Sequence, residues 1–153
     1  MPTSRLILIA EDSSDDLLLL KRSFAKAGII NPTSIVRSGR EVIAYLSGEG
    51  IYADRSQYPF PGILLLDIHM PDGNGFEVLE WKRDKLPVKG LLTIVLSRLE
   101  EISNINRAYA LGANSFLTKP GNPEELQGLI RVFHNYWIVR NKAPAIEQQN
   151  DFS

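Results

Sequence analysis

The stretch Leu64–Gly75, LLLDIHMPDGNG, decides how this chain folds. Ile63–Leu66 places four apolar residues in a row, and a single acid, Asp67, follows them. An unbroken apolar run of that length suits a strand covered on both faces, as the strands of parallel sheets are. Asp67 then stands at the strand's carboxyl end, ahead of a turn segment from His69 to Gly75 and a helix. Packing gives no reason for an acid at that point. Ligand sites of open α/β sheets, by contrast, lie just outside the carboxyl ends of the strands.

The rest of the chain repeats the pattern. Arg5–Ala10 (RLILIA) is a buried strand ending at Glu11 and Asp12. Ser13 and Ser14 are N-cap candidates, Asp15 and Asp16 suit a first helical turn, and Gly28 suits a C-cap. Leu17, Leu20, Phe24 and Ala27 form that helix's inward face. A weaker strand over Pro32–Val36 precedes a helix over Gly39–Leu46, with Val42, Ile43 and Leu46 inward. Ser47–Pro61 lacks periodicity and reads as a long surface loop, or a helix extension that ends in one. After the strand at Gly62–Leu66 comes a helix over Gly75–Leu86, ended by Pro87. A strand over Leu91–Leu96 then leads to Ser97, and Glu100–Gly112 is a helix opened by two acids. A short strand over Asn114–Leu117 runs into Thr118, Lys119 and Pro120. Asn122 caps a last helix, with Pro123 in its first position, that reaches about Arg140. Five strand–helix alternations predict an α/β fold: a doubly wound, five-stranded parallel sheet of order 2-1-3-4-5, flavodoxin-like. One domain over residues 1–142 is expected, with an insertion at 47–61 and a flexible polar tail over 143–153.

Composition narrows the function. The 153 residues are 44% hydrophobic and 23% charged, ordinary for a globular protein with a full core. A net charge of −1 and a pI near 6.1 give no electrostatic reason to expect nucleic acid or an anionic membrane as partner. The absence of cysteine excludes disulfides, thiolate metal sites and cysteine nucleophiles. No apolar run approaches the roughly 20 residues of a membrane span. Leu6–Ala10 is too short for a signal-peptide core, so a cytoplasmic location is expected.

In the expected topology Glu11 and Asp12, Asp67, Ser97 and Lys119 meet at one sheet edge. Each alone has a plain structural explanation as a cap, a turn residue or a solvated lysine. Together they describe chemistry. Three close carboxylates need compensation, and a hard dication with oxygen ligands such as Mg²⁺ supplies it. Lys119 offers a compact positive charge and Ser97 a hydrogen bond to phosphate oxygens. Asp67, on the central strand, is the best-placed nucleophile for an aspartyl phosphate.

At these residues the chain resembles the receiver domain of two-component response regulators, over about residues 5–140. The motifs are ILIAED at 7–12, LLLDIHMPDGNGFEVL at 64–79, IVLS at 94–97 and GANSFLTKP at 112–120. The resemblance implies that Asp67 is the phosphoacceptor, taking phosphate from a histidine kinase. It implies that Glu11, Asp12, Asp67 and the backbone carbonyl of His69 hold Mg²⁺ or Mn²⁺. It implies that Ser97 and Phe116 are switch residues, that Lys119 binds the phosphoryl group, and that the bond to Pro120 is cis. The Ser47–Pro61 segment is similar to the insertion of small regulators paired with bacterial and cyanobacterial phytochrome histidine kinases. Arg98 follows the switch hydroxyl where that family usually has a small residue; a cation there is placed to shield the phosphoaspartate or to pair with an acid.

Two further expectations concern partners. On the last helix Leu126, Leu129, Ile130, Phe133 and Trp137 suffice for packing, which leaves Val132, Tyr136 and Val139 as a surplus apolar stripe. With Ile102, Ile105 and Tyr109 on the preceding helix, this face is expected to form a homodimer. An alternative class, a Mg²⁺-dependent phosphohydrolase with an aspartyl-phosphate intermediate, commonly needs a second acid where this chain has His69. A mononucleotide binder would need free amides after the first strand, where four acids stand instead.

Overall fold

The computed structural model describes residues 5–86, 91–98 and 102–142. The chain runs β1 (Ile7–Ala10), α1 (Ser14–Ala27), β2 (Thr33–Val36), α2 (Gly39–Ser47), β3 (Ile63–Leu66), α3 (Gly75–Lys85), β4 (Leu92–Ser97), α4 (Ile102–Ala110), β5 (Ser115–Thr118) and α5 (Pro123–Phe133). The five strands are parallel, in order β2-β1-β3-β4-β5. Pro87, the acids Glu100 and Glu101, and the tail beyond residue 142 lie outside the described residues.

The strand alternation divides the core in two. Ile7, Ile9, Ile63, Leu65, Ile94 and Leu96 face α1 and α5, where Leu17, Leu20, Phe24, Leu126, Ile130 and Phe133 meet them. Leu8, Ala10, Leu64, Leu66 and Val95 face the other way, against Val42, Tyr45, Leu46, Phe76, Val78, Leu79 and Ala108. Because both faces are covered, β1, β3 and β4 carry no exposed residue. On α2 the fully buried aromatic is Tyr45, whereas Ile43, expected inward, is half-buried.

Helix starts follow one device. Ser13, Ser38, Asn74 and Asn122 each accept a hydrogen bond from the amide three residues on, at 3.2, 3.1, 3.1 and 2.9 Å. α5 continues as a π-helical stretch over His134–Arg140, so the helical course reaches the expected residue in a wider coil.

The Ser47–Pro61 segment is tied down from inside. Gly48 ends α2 in the left-handed conformation, φ 71°, and a 3₁₀ turn follows at Gly50–Ala53. The Arg55 guanidinium donates to the carbonyls of Tyr45, Leu46 and Tyr58 at 2.8, 3.1 and 3.3 Å. Tyr45, Tyr52 and Tyr58 pack ring to ring, and the Tyr45 hydroxyl donates to the Pro59 carbonyl at 2.9 Å.

The turn after β3 is fixed just as firmly. Gly73, at φ 96°, lies so close to α2 that a β-carbon on Gly39 would collide with its carbonyl. The Arg40 amide donates to the Asp72 carbonyl at 2.9 Å, and Gly75 lets the start of α3 pass the Asp67 carbonyl.

Candidate functional site

Strand order brings the expected residues to one edge. Glu11 and Asp12 follow β1, Asp67 follows β3, Ser97 ends β4 and Lys119 follows β5. Glu11, Asp67, Ser97 and Lys119 are buried, while Asp12 is exposed. The Lys119 Nζ lies 2.5 Å from Glu11 Oε1, 2.9 Å from Asp67 Oδ2 and 2.9 Å from Asp16 Oδ2. The other Asp67 oxygen, Oδ1, accepts from the His69 amide at 3.0 Å, and Glu11 Oε2 accepts from the Ser13 amide at 3.1 Å. Asp67 is therefore oriented by one backbone donor and one cation. Ser97 is joined to the lysine's strand through the Lys119 amide, which donates to its carbonyl at 2.8 Å. Phe116 is half-buried against the α2–α4 core layer, and its amide donates to the Tyr109 hydroxyl at 3.1 Å.

Charge accounts for the proton affinities. Burial pushes the Glu11 carboxyl above its usual range, and the neighbouring Asp67 adds to that, against the hydrogen bond from Lys119. Burial works against the Lys119 ammonium, yet Glu11, Asp67 and Asp16 outweigh it and hold its pKa above the usual lysine value. Asp16 is held low, chiefly by Arg98 and then by Lys119.

Asp16 is the residue that sequence reasoning missed. It was legible only as a first-turn acid, because its spacing suits the helix N-terminus. In the structure it is buried and accepts from both Lys119 and Arg98. The available signal was Arg98 itself, a cation expected to pair with an acid, and Asp16 is that acid.

One expectation is corrected. No described peptide bond is cis, so the bond from Lys119 to Pro120 is trans. The trans form is favoured by about 0.5–1 kcal/mol before proline unless a tight turn demands otherwise. Gly121 and Asn122 then lead into α5. On the α4–α5 side Ile102, Tyr109, Val132, Tyr136 and Val139 are exposed and Ile105 is half-buried.

Glu11, Asp12 and Asp67 can each present a carboxylate oxygen within 4.8 Å of the others. That all-oxygen donor set suits a hard dication. A cavity of about 370 Å³ lies beside them, lined by Glu11, Asp12, Ser13, Asp16, Asp67, His69, Met70, Pro71 and Arg98. It has room for a phosphoryl group next to Asp67.

Comparison with known proteins agrees with this geometry. A family model described as the response regulator receiver domain matches residues 7–131. The response regulator Rcp1 of Synechocystis sp. is 28% identical over 141 residues, covering 92% of this chain and 94% of Rcp1. A solved Mn²⁺-bound form of Rcp1 gives a TM-score of 0.80 at 27% identity, over 92% of this chain and 99% of that one. RPA3017, a response regulator in red light signaling of R. palustris, gives 0.86 at 34% identity, over 92% of this chain and 99% of that one. The phosphorylated cyanobacterial phytochrome response regulator RcpA gives 0.83 at 28%, over 94% and 100%.

Proposed function

This chain belongs to the response regulator receiver family, and from that premise we propose that Asp67 is the residue that takes up phosphate. As a response regulator it works in a two-component phosphorelay with a histidine kinase. The observation that supports Asp67 is its clamp: one oxygen on the His69 amide, the other on Lys119, beside two further acids and an open cavity.

The transfer follows from those contacts. An Asp67 oxygen attacks phosphorus, the bond from phosphorus to the donor histidine's nitrogen breaks, and the imidazole leaves with that electron pair. Lys119, already on Asp67 Oδ2, pairs with the new phosphoryl oxygens, and the Ser97 hydroxyl donates to another. Ser97 and Lys119 draw β4 and β5 toward the phosphoryl group, and Phe116 on β5 shifts with them. Receivers bind a divalent metal at this acidic pocket; held by Glu11, Asp12, Asp67 and the His69 carbonyl, Mg²⁺ would neutralise charge between Asp67 and the phosphoryl group.

Intact mass after incubation with acetyl phosphate and Mg²⁺ tests the assignment. One acid-stable, base-labile phosphate per chain, lost in Asp67→Asn, is expected; a phosphate that persists in that variant would refute it. The partner is a phytochrome-type kinase, as the likeness to RcpA and RPA3017 supports. Faster phosphotransfer from such a kinase than from an unrelated histidine kinase is the expected result. The exposed α4–α5 residues form a homodimer contact; light scattering showing only monomer at high micromolar concentration would reject it. No helix among the described residues is long and apolar enough to cross a membrane.

A further inference from the structure

Arg98 stands immediately after the Ser97 hydroxyl, at the end of β4. Its guanidinium grips Asp16 with two hydrogen bonds, Nη1 to Oδ2 at 2.9 Å and Nη2 to Oδ1 at 3.1 Å. Asp16 Oδ2 also accepts from Lys119 Nζ, which in turn touches Asp67 Oδ2. A single carboxylate oxygen on α1 thus holds two cations, and one of them already sits on Asp67.

The two cations differ in their freedom. The Lys119 side chain is 5% exposed and has three carboxylate partners. The Arg98 side chain is 58% exposed, has Asp16 as its one ion-pair partner among the described residues, and lines the same cavity as Asp67. An ion pair open to water on one side is weak and easily exchanged. A phosphoryl group on Asp67 carries more charge than the Asp16 carboxylate. It also offers the oxygens that a guanidinium fork binds bidentately.

We propose that Arg98 is a phosphoryl-binding residue of this receiver: it rests on Asp16 while Asp67 is bare, and moves to the phosphoryl oxygens once Asp67 is modified. This rests on Asp67 being the phosphoacceptor. The exchange has a chemical consequence. Loss of the signal requires a water oxygen to attack phosphorus from the cavity side. The bond from phosphorus to the Asp67 oxygen breaks, the Asp67 carboxylate is regenerated, and inorganic phosphate leaves with the water's proton balance carried to solvent. A guanidinium on the phosphoryl oxygens occupies the side from which that water must come. Arg98 thereby lengthens the life of the phosphorylated state. Asp16 is the positioning residue that keeps the guanidinium at the cavity in the unmodified protein.

The full chain is loaded with acetyl phosphate and Mg²⁺, the donor is removed, and loss of phosphate is followed by intact mass. Arg98→Met keeps the bulk and removes the charge; Arg98→Lys keeps the charge and removes the fork. Arg98→Met is expected to lose phosphate about fivefold faster than the wild type, with Arg98→Lys between the two. In parallel, the Arg98 side-chain Nε–H resonance, assigned by its absence in Arg98→Met, is expected to shift when beryllofluoride is added with Mg²⁺. Equal lifetimes in wild type and Arg98→Met, or an Nε–H resonance unmoved by beryllofluoride, overturns the proposal while leaving Asp67 in its role. No phosphate adduct on the wild type overturns both.

Discussion

Lys119→Gln puts the charge balance of the site under test. The ammonium is almost wholly buried and holds Glu11, Asp16 and Asp67, whose side chains are 3, 12 and 9% exposed. Glutamine, one atom shorter, keeps a donor but removes the charge and leaves the carboxylates to repel one another. Removing one partner of a buried ion pair costs about 3–5 kcal/mol. Asp16 keeps Arg98 and the cavity admits water to Asp67, so the lower end applies, about 3 kcal/mol at pH 7 in chelator. For a domain of this size that lowers Tm by about 6–12 °C. A dication restores the missing charge, so Mg²⁺ should stabilise the variant by about 1 kcal/mol more than the wild type. The pH dependence has a defined sign. Lys119's pKa is raised on folding, so its stabilising contribution is complete below the unfolded lysine value and is lost as pH climbs through the higher folded value. The variant lacks that alkaline loss. Its deficit also shrinks in acid, where Glu11, whose pKa burial already raises, takes up a proton. Urea unfolding at pH 7 in chelator measures this directly. Equal midpoints for variant and wild type would refute the claim that Lys119 compensates the three acids.

Three other outcomes follow from the same structure. Glu11→Gln removes a carboxylate from the oxygen donor set, so divalent affinity, read by titration calorimetry, should fall about tenfold, and an unchanged affinity would remove Glu11 from that set. Asp16 has a lowered pKa, so it stabilises above the unfolded aspartate value and the effect fades as pH falls through the folded one. Asp16→Asn should therefore cost about 1 kcal/mol at pH 7 and progressively less as pH falls below the unfolded aspartate value in thermal melts; a cost independent of pH would count against it. Gly39→Ala forces a β-carbon into the Gly73 carbonyl, so α2 and the turn after β3 must part. A loss of about 3 kcal/mol in urea unfolding is expected, and a neutral substitution would show that the close approach is dispensable.

Local patterns carried most of the fold because both faces of the sheet are covered. A strand such as Ile63–Leu66 is then apolar at every position and stands out without a partner. β2 was the weakest signal for the converse reason: it is an edge strand, exposed or half-buried except at Val36. At the site, Glu11, Asp12, Asp67, Ser97 and Lys119 were legible because parallel strands deliver their last residues to one edge. Asp16 was not, because its role depends on how a helix seats against two side chains more than 80 residues away. Ile43 yielded its expected place to Tyr45 because the Tyr45 hydroxyl reaches Pro59, in a segment without periodicity. The trans bond at Pro120 was not legible either, because the family pattern names the residue and not the isomer.

Arg55 gives the insertion after α2 an independence of its own. Its guanidinium meets the last carbonyls of that helix, and the tyrosine cluster fills the space around it. None of its contacts among the described residues reaches the acids at the sheet edge. The segment behaves as a self-contained unit, braced by Arg55, by the tyrosine rings and by the Tyr45 hydroxyl on Pro59. Its outer turn can therefore change in length or charge without touching the hydrogen bonds that orient Asp67.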